Sequence, residues 1–161
     1  RHGTFALQMV KSAGAEVTGV DSAAKLDRMG AVGADRVIDY VEQDFTQNGL
    51  RYDRILDFEA HHSMFDYRRA LAPGGVYAMV GGTTSRIIQA MALGPLLSRA
   101  GSRKIRVVMY KPGRDLPELV EFMAAGNVTP VIDSSYPLVK APEAFRRFGG
   151  GQFVGKILIT I

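Results

Sequence analysis

Four places in the sequence carry residues suited to chemistry at the end of a β-strand: Asp21-Ser22, Tyr40, Phe58-Glu59 and Gly81-Gly82. Ligands of open α/β sheets sit at such carboxyl ends, near the point where strand order reverses. Asp21 closes the short β-branched run Glu16–Asp21. A carboxylate there can accept hydrogen bonds from both hydroxyls of an adenosine ribose. It can equally cap a following helix, and spacing alone weighs the two evenly. Gly3 lies eighteen residues earlier, close to the ~20 that separate a dinucleotide phosphate turn from its ribose acid. In a G-x-G-x-x-G turn the last glycine lets the helix pack against its strand, and the helix amides hold pyrophosphate. Arg1 and His2 would fill the two variable positions before it.

The elements that must position these residues alternate. Thr4–Ala13 has the apolar spacing of a helix packed on a sheet, ended by Gly14. Glu16–Asp21 reads as a buried parallel strand. Ser22 is placed to cap a helix over Ala23–Val32, closed by Gly33. Arg36–Tyr40 and Arg54–Phe58 read as strands, with a helix at Met64–Leu71. Pro73-Gly74-Gly75 is expected to turn into a strand over Val76–Val80. A helix over Ile87–Arg99 with a break near Gly94-Pro95 follows, then a strand at Lys104–Tyr110 and a helix at Leu116–Ala125. After Gly126 come a Pro-containing stretch to Leu138, a helix over Ala141–Phe148 and a strand over Lys156–Ile161.

Strands alternating with helices imply parallel strands and crossovers. The fold class is therefore α/β, a doubly wound, mostly parallel Rossmann sheet. Its first strand would precede Arg1. That strand lies centrally in this topology, so without it the sheet has open strand edges in its middle. The native protein is expected to continue upstream.

Composition narrows the function classes. Hydrophobic residues are 47% of the 161, enough for a packed core, and no apolar run reaches the ~20 residues of a membrane span. A cytoplasmic location is the default expectation. There is no cysteine, which excludes disulfides and thiolate zinc sites from this chain. His61-His62 has no further ligand at metal spacing, so a local hydrogen bond or solvent exposure is the expected role, and no metal site is assigned. The net charge is +4, but the basic residues are scattered and no aromatic-plus-basic motif accompanies them, which argues against nucleic acid. The apolar stripe of Met91, Leu93 and Leu96 could wall a substrate pocket or a dimer face, and is more often core.

From Gly3 to Ile161 the sequence resembles the C-terminal half of a medium-chain dehydrogenase/reductase, in the zinc-independent quinone-oxidoreductase-like branch. The segments that carry it are GTFALQMVK (3–11), VTGVDSAAKLD (17–27), GADRVIDY (33–40), YDRILDFEA (52–60), LAPGGVYAMVGG (71–82), GNVTPVIDSSYPLVKAPEAF (126–145) and GKILITI (155–161). The resemblance implies a nucleotide-binding domain over 1–126 and a tail, 127–161, that returns to a GroES-like catalytic domain. It implies hydride transfer between nicotinamide and a carbonyl, quinone or activated alkene. For the cofactor NAD(P) it implies Gly3 at the pyrophosphate, Asp21, Ser22 and Lys25 around the adenosine ribose, and Tyr40 on the adenine or 2′-phosphate side. It further implies Phe58 where the dinucleotide crosses the sheet, and Val80, Gly81 and Gly82 at the nicotinamide. No catalytic acid or base is assigned, and the chain alone is expected to turn over no substrate. The strand over Lys104–Tyr110 would lie at the sheet edge and pair across a homodimer.

The cofactor choice stays open at this level. Asp21 would repel a 2′-phosphate and favour NAD, whereas Ser22 and Lys25 would suit NADP. Two other readings compete with the reductase. VTGVD followed later by APGG also resembles an S-adenosylmethionine-dependent methyltransferase, in which Asp21 would bind the donor's ribose. Such enzymes usually end in an antiparallel strand pair. A non-catalytic nucleotide-binding or interaction module is the third.

Overall fold

The computed structural model describes residues 3–109, 113, 115–151 and 153–161. Arg1 and His2 of the expected phosphate turn, and Tyr110 of the expected edge strand, lie outside them. The elements run α1 (Gly3–Ser12), β1 (Thr18–Asp21), α2 (Ala23–Ala31), β2 (Arg36–Asp39), β3 (Tyr52–Asp57), α3 (Met64–Ala70) and β4 (Leu71–Met79). They continue with α4 (Thr84–Arg99), β5 (Lys104–Val107), α5 (Leu116–Ala124), β6 (Ile132–Pro137), α6 (Ala141–Gly150) and β7 (Lys156–Thr160). The chain divides into two compact units, Arg1–Gln43 with Arg114–Ile161, and Asp44–Gly113.

In the first unit β1 and β2 are parallel, with Asp21 opposite Asp39, and β6 and β7 form a second parallel pair. Gly19 lies mid-strand beneath the tip of the Met29 side chain of α2, which would have to turn aside for a Cβ. The Lys11 ammonium of α1 reaches the Asp35 carboxylate at 2.8 Å, and that carboxylate also accepts from the Val17 amide at 2.7 Å. Gln8 exchanges two hydrogen bonds with the Thr129 backbone, tying α1 to the C-terminal segment. Leu7, Ile38, Val128, Ala144 and Phe153 are buried here.

The second unit is a three-stranded parallel sheet, β3-β4-β5, over a continuous core. Met64, Tyr67, Ala70, Leu71, Tyr77 and Met79 are almost wholly inaccessible in it. Ser63 and Asp66 form a capping box that starts α3. The Ser63 hydroxyl bonded to Asp66 holds that carboxyl below its ordinary range.

Every expected helix and strand is present, with shifted ends. Among the described residues β1 pairs only with β2 and β3 only with β4, so each keeps one open edge. The Pro73-Gly74-Gly75 turn is absorbed into β4. Pairing slips from Tyr52 opposite Leu71 to Arg54 opposite Val76, and Gly74 takes φ +78°. The break expected near Gly94-Pro95 does not occur, and α4 runs through Pro95. Gly94 is buried against Ile105, where a Cβ would come within 3.2 Å. That close approach holds the helix on β5 despite the amide that Pro95 lacks. The core reading of the Met91 and Leu96 stripe is also corrected: both are about 60% exposed, at 62% and 61%, and α4 buries Ala90 and Gly94 instead. Small residues face the sheet because the helix lies too close to admit large ones.

Candidate functional site

In the first unit, three of the expected residues, Gly3, Asp21 and Lys25, line one recess. Gly3 opens α1 and lines a recess with Thr4, Leu7, Asp21, Lys25 and Met29. Asp21 ends β1, and its Oδ1 accepts from the Ser22 amide at 2.8 Å and from Lys25 Nζ at 3.0 Å. The ion pair is an i,i+4 contact across the first turn of α2. Ser22 holds the N-cap position, but its hydroxyl makes no capping bond. Asp21 therefore does not act as the helix cap in the ordinary sense, because it binds its neighbour's amide and not one inside the helix. Tyr40 follows β2, donates its amide to the Asp21 carbonyl at 3.2 Å, and leaves its side chain 58% exposed.

Sequence reasoning missed two parts of this recess. Thr4 is buried, and its hydroxyl finds no partner among the described residues. The far wall is Phe153, Val154 and Gly155, supplied by the C-terminal segment. Gly155 takes φ +96°, and a Cβ would collide with the Val131 carbonyl, so only glycine fits. Val154 is fixed by Asp133, whose carboxylate accepts from the Val154 amide at 3.2 Å and from Arg147 Nε at 2.6 Å. Arg28 of α2 approaches the same carboxylate at 3.9 Å. The Arg147 hydrogen bond, opposed by burial, holds Asp133 below the ordinary carboxylate range. Contacts between residues so far apart in the chain leave no local pattern to read. The recess is small, about 40 Å³, room for a water or two. A nucleoside could only lie across its mouth.

In the second unit the ends of β3 and β4 are knitted together. The Asp57 carbonyl accepts from Val80 N at 2.7 Å and Gly81 N at 3.3 Å, and Ala60 N donates to the Gly81 carbonyl at 3.1 Å. A Cβ on Gly81 would meet the Phe58 carbonyl at 2.5 Å, and one on Gly82 would meet Ala60 Cβ at 3.0 Å. The glycine pair is thus required by the fold itself, whatever lies above it. Phe58 is half-buried and Val80 exposed at this end.

Beneath lies a polar cluster that sequence reasoning also missed. Tyr67 and Tyr77 stack at 4.1 Å between centroids, and both are buried. Tyr77 donates to Asp57 Oδ2 at 3.2 Å, while Asp57 Oδ1 accepts from the Glu59 amide at 3.0 Å. The Tyr67 hydroxyl accepts from the amides of His61 and His62 at 3.2 and 3.3 Å. Burial, reinforced by the Asp57 carboxylate, pushes both tyrosines well above their ordinary range. The bonds of His61 and His62 come from their backbone amides; His61 is exposed, and His62 Nε2 lies 3.7 Å from Asp44. Among the described residues no three His, Asp or Glu gather as a metal site.

Parallel strands alternating with helices give an α/β fold of the Rossmann type. Residues 32–159 match the zinc-binding dehydrogenase family, and the chain belongs to that family, as the C-terminal half of a medium-chain dehydrogenase/reductase. It is 28% identical over 162 residues to a chloroplastic quinone oxidoreductase of Triphysaria versicolor, covering 98% of this chain and 48% of that protein. It is 29% identical over 182 residues to a mitochondrial NAD(P)H oxidoreductase of Mus musculus, covering 99% of this chain and 45% of that one. Among solved structures, a putative alcohol dehydrogenase of Sinorhizobium meliloti superposes with TM-score 0.80 at 21% identity, over 98% of this chain and 45% of the other. The chain spans about half the length of the relatives it matches.

Proposed function

We propose that this chain is the cofactor-binding part of an NAD(P)-dependent oxidoreductase that moves hydride between nicotinamide and a carbonyl, quinone or activated alkene. The observation that carries the reading is the Asp21 carboxylate at the end of β1, beside Gly3 at the start of α1 and the unpartnered Thr4 hydroxyl. These fit an adenosine diphosphate: a carboxylate for ribose hydroxyls, and helix amides plus a spare hydroxyl for phosphate. The first unit thus holds the adenosine end through Gly3, Asp21, Ser22, Lys25 and Tyr40. The second takes the nicotinamide through Phe58, Val80, Gly81 and Gly82. The nicotinamide, when bound, supplies the hydride. The residues of this chain bind and orient it, and none is assigned as an acid or base. The relatives named as quinone oxidoreductase and NAD(P)H oxidoreductase support the reaction class.

The same proposal takes 127–161 as the tail that joins a second, catalytic domain in the whole protein. It includes a homodimer, supported by the place of β5 at the edge of its sheet and by the exposed Val108 and Met109 just beyond it. Among the described residues no helix is long and apolar enough to cross a membrane. The cytoplasmic placement stands as a proposal for cell fractionation, since relatives are named for chloroplast and mitochondrion. The parallel pairing of β6 and β7 also speaks against the methyltransferase reading, whose enzymes usually end in an antiparallel pair.

Fluorescence titration of the intact protein with NADH and NADPH tests the reading. Saturable binding of at least one is expected. A folded protein that binds neither would remove it and bring forward the methyltransferase and interaction-module readings.

A further inference from the structure

We infer that Tyr67 is a positioning residue for the nicotinamide end of the site: its buried hydroxyl holds the segment between β3 and α3 against Gly81-Gly82 and so fixes the surface that meets the ring. The inference rests on the proposal that the second unit takes the nicotinamide, and it deepens that proposal.

Gly81 and Gly82 have no side chains with which to pack themselves in place. Their position is set by the segment that follows β3. Ala60 is wholly buried and pairs with Gly82 as an isolated parallel bridge. Five consecutive amides of this segment donate inward. Glu59 N donates to Asp57 Oδ1 at 3.0 Å, and Ala60 N to the Gly81 carbonyl at 3.1 Å. His61 N and His62 N both donate to the Tyr67 hydroxyl, at 3.2 and 3.3 Å, and Ser63 N donates to Asp66 Oδ2 at 3.2 Å. The two ends of the segment are thus held by β3, β4 and the first turn of α3. Its middle is held by one side chain.

Tyr67 is itself fixed from the sheet. It is 1% exposed, and its ring stacks on Tyr77 of β4 with centroids 4.1 Å apart. A phenol oxygen can accept as well as donate, and here two amides share it. Burial keeps the phenol neutral. Tyr77 in turn donates to Asp57 Oδ2, while Oδ1 of the same carboxylate takes the Glu59 amide. Stack and carboxylate join α3, β4 and the end of β3 into one support beneath the segment. A phenylalanine at 67 would keep the stack and the edge contact with the His62 ring at 5.7 Å. It would remove only the acceptor. Two part-buried amides would then lack their partner, and the segment would shift to reach water. That shift passes through Ala60 to the glycine pair. The adenosine end, assigned to the first unit, shares none of these bonds.

The test compares the intact protein's dissociation constants, by calorimetry, for NADH and for ADP-ribose, which lacks the nicotinamide. NADPH and 2′-phospho-ADP-ribose replace them if that pair binds more tightly. Tyr67→Phe is expected to weaken the dinucleotide at least about fivefold, the scale of one hydrogen bond's net contribution, and to leave the ADP-ribose within twofold of wild type. Ser63→Ala breaks the capping box of α3 but keeps the Tyr67 bonds, and is expected to leave both ligands within twofold. In the wild type, hydrogen exchange at the His61 and His62 amides is expected to slow more with the dinucleotide than with the ADP-ribose, a readout that needs no variant to fold. Equal slowing by the two ligands overturns the inference while leaving the cofactor role intact. So does a Tyr67→Phe that changes both affinities alike or neither, or a Ser63→Ala that shifts their ratio as much as Tyr67→Phe. Folded wild type that binds neither ligand overturns both.

Discussion

Replacing Asp133 by Asn should loosen the wall that the C-terminal segment lends to the recess, at a cost worked from its contacts. The Asp133 side chain is only 7% exposed and takes hydrogen bonds from Arg147 Nε at 2.6 Å, Val154 N at 3.2 Å and Ser134 Oγ at 3.0 Å. An amide of the same shape keeps one acceptor oxygen for the Val154 amide. It loses the charge that answers Arg147 and sets an N–H donor in the carboxylate's place. Hydrogen bonds to charged groups contribute about 1.5–3 kcal/mol, and breaking a fully buried pair costs about 3–5 kcal/mol. Arg147 is 40% exposed and can turn to water, so the lower figure applies, about 2 kcal/mol. With a urea slope of about 1–3 kcal/mol/M, the unfolding midpoint should fall by about 1 M. The pH dependence carries a definite sign. The Arg147 hydrogen bond holds the folded Asp133 carboxyl below its ordinary range, so its contribution is complete above the unfolded pKa. It is lost as pH falls through the lower folded value. The gap between wild type and D133N should therefore be full at pH 7 and close progressively below about pH 4. A difference under about 0.5 kcal/mol at pH 7, against the charged-bond magnitude, or a gap unchanged on acidification, would refute this account of the clasp.

Ultraviolet absorbance titration should show two of the six tyrosines resisting ionisation beyond the ordinary range. Tyr67 and Tyr77 favour the neutral form when folded, so they stabilise the protein below the ordinary tyrosine pKa of about 10 and lose that contribution as pH rises further. Tyr77→Phe should remove one late-titrating group. It should also cost about 1–3 kcal/mol in urea unfolding, because Asp57 Oδ2 loses a buried donor; a neutral substitution would contradict the hydrogen bond. Gly155→Ala should destabilise by at least about 2 kcal/mol, combining a left-handed φ of +96° with a clash at the Val131 carbonyl. A wild-type melting curve for that variant would show that the wall can shift.

Much of the architecture is legible in the order of residues, because it rests on local rules. Period and turn chemistry place most of the helices and strands, though not β6, which lies in the Pro-containing stretch with no element assigned, and β-branched runs such as Arg36–Asp39 mark strands. The candidate site is half legible for the same reason: strand ends are where side chains and loops meet ligands, so Asp21, Ser22 and Tyr40 can be pointed to in advance. Other parts depend on contacts between distant segments. The Thr4 hydroxyl, the Phe153–Gly155 wall, the Asp133 clasp and the buried Tyr67–Tyr77 stack have no periodic signature, since their partners lie elsewhere in the chain. Pro95 and Gly94 show the converse, a local break signal overridden by close packing on Ile105. The deepest division falls at Asp21 and Lys25. Sequence supplies both residues and therefore both cofactor preferences. Only the folded geometry, which brings Nζ within 3.0 Å of Oδ1, joins the two opposing charges into an ion pair, because that contact depends on how β1 meets the first turn of α2.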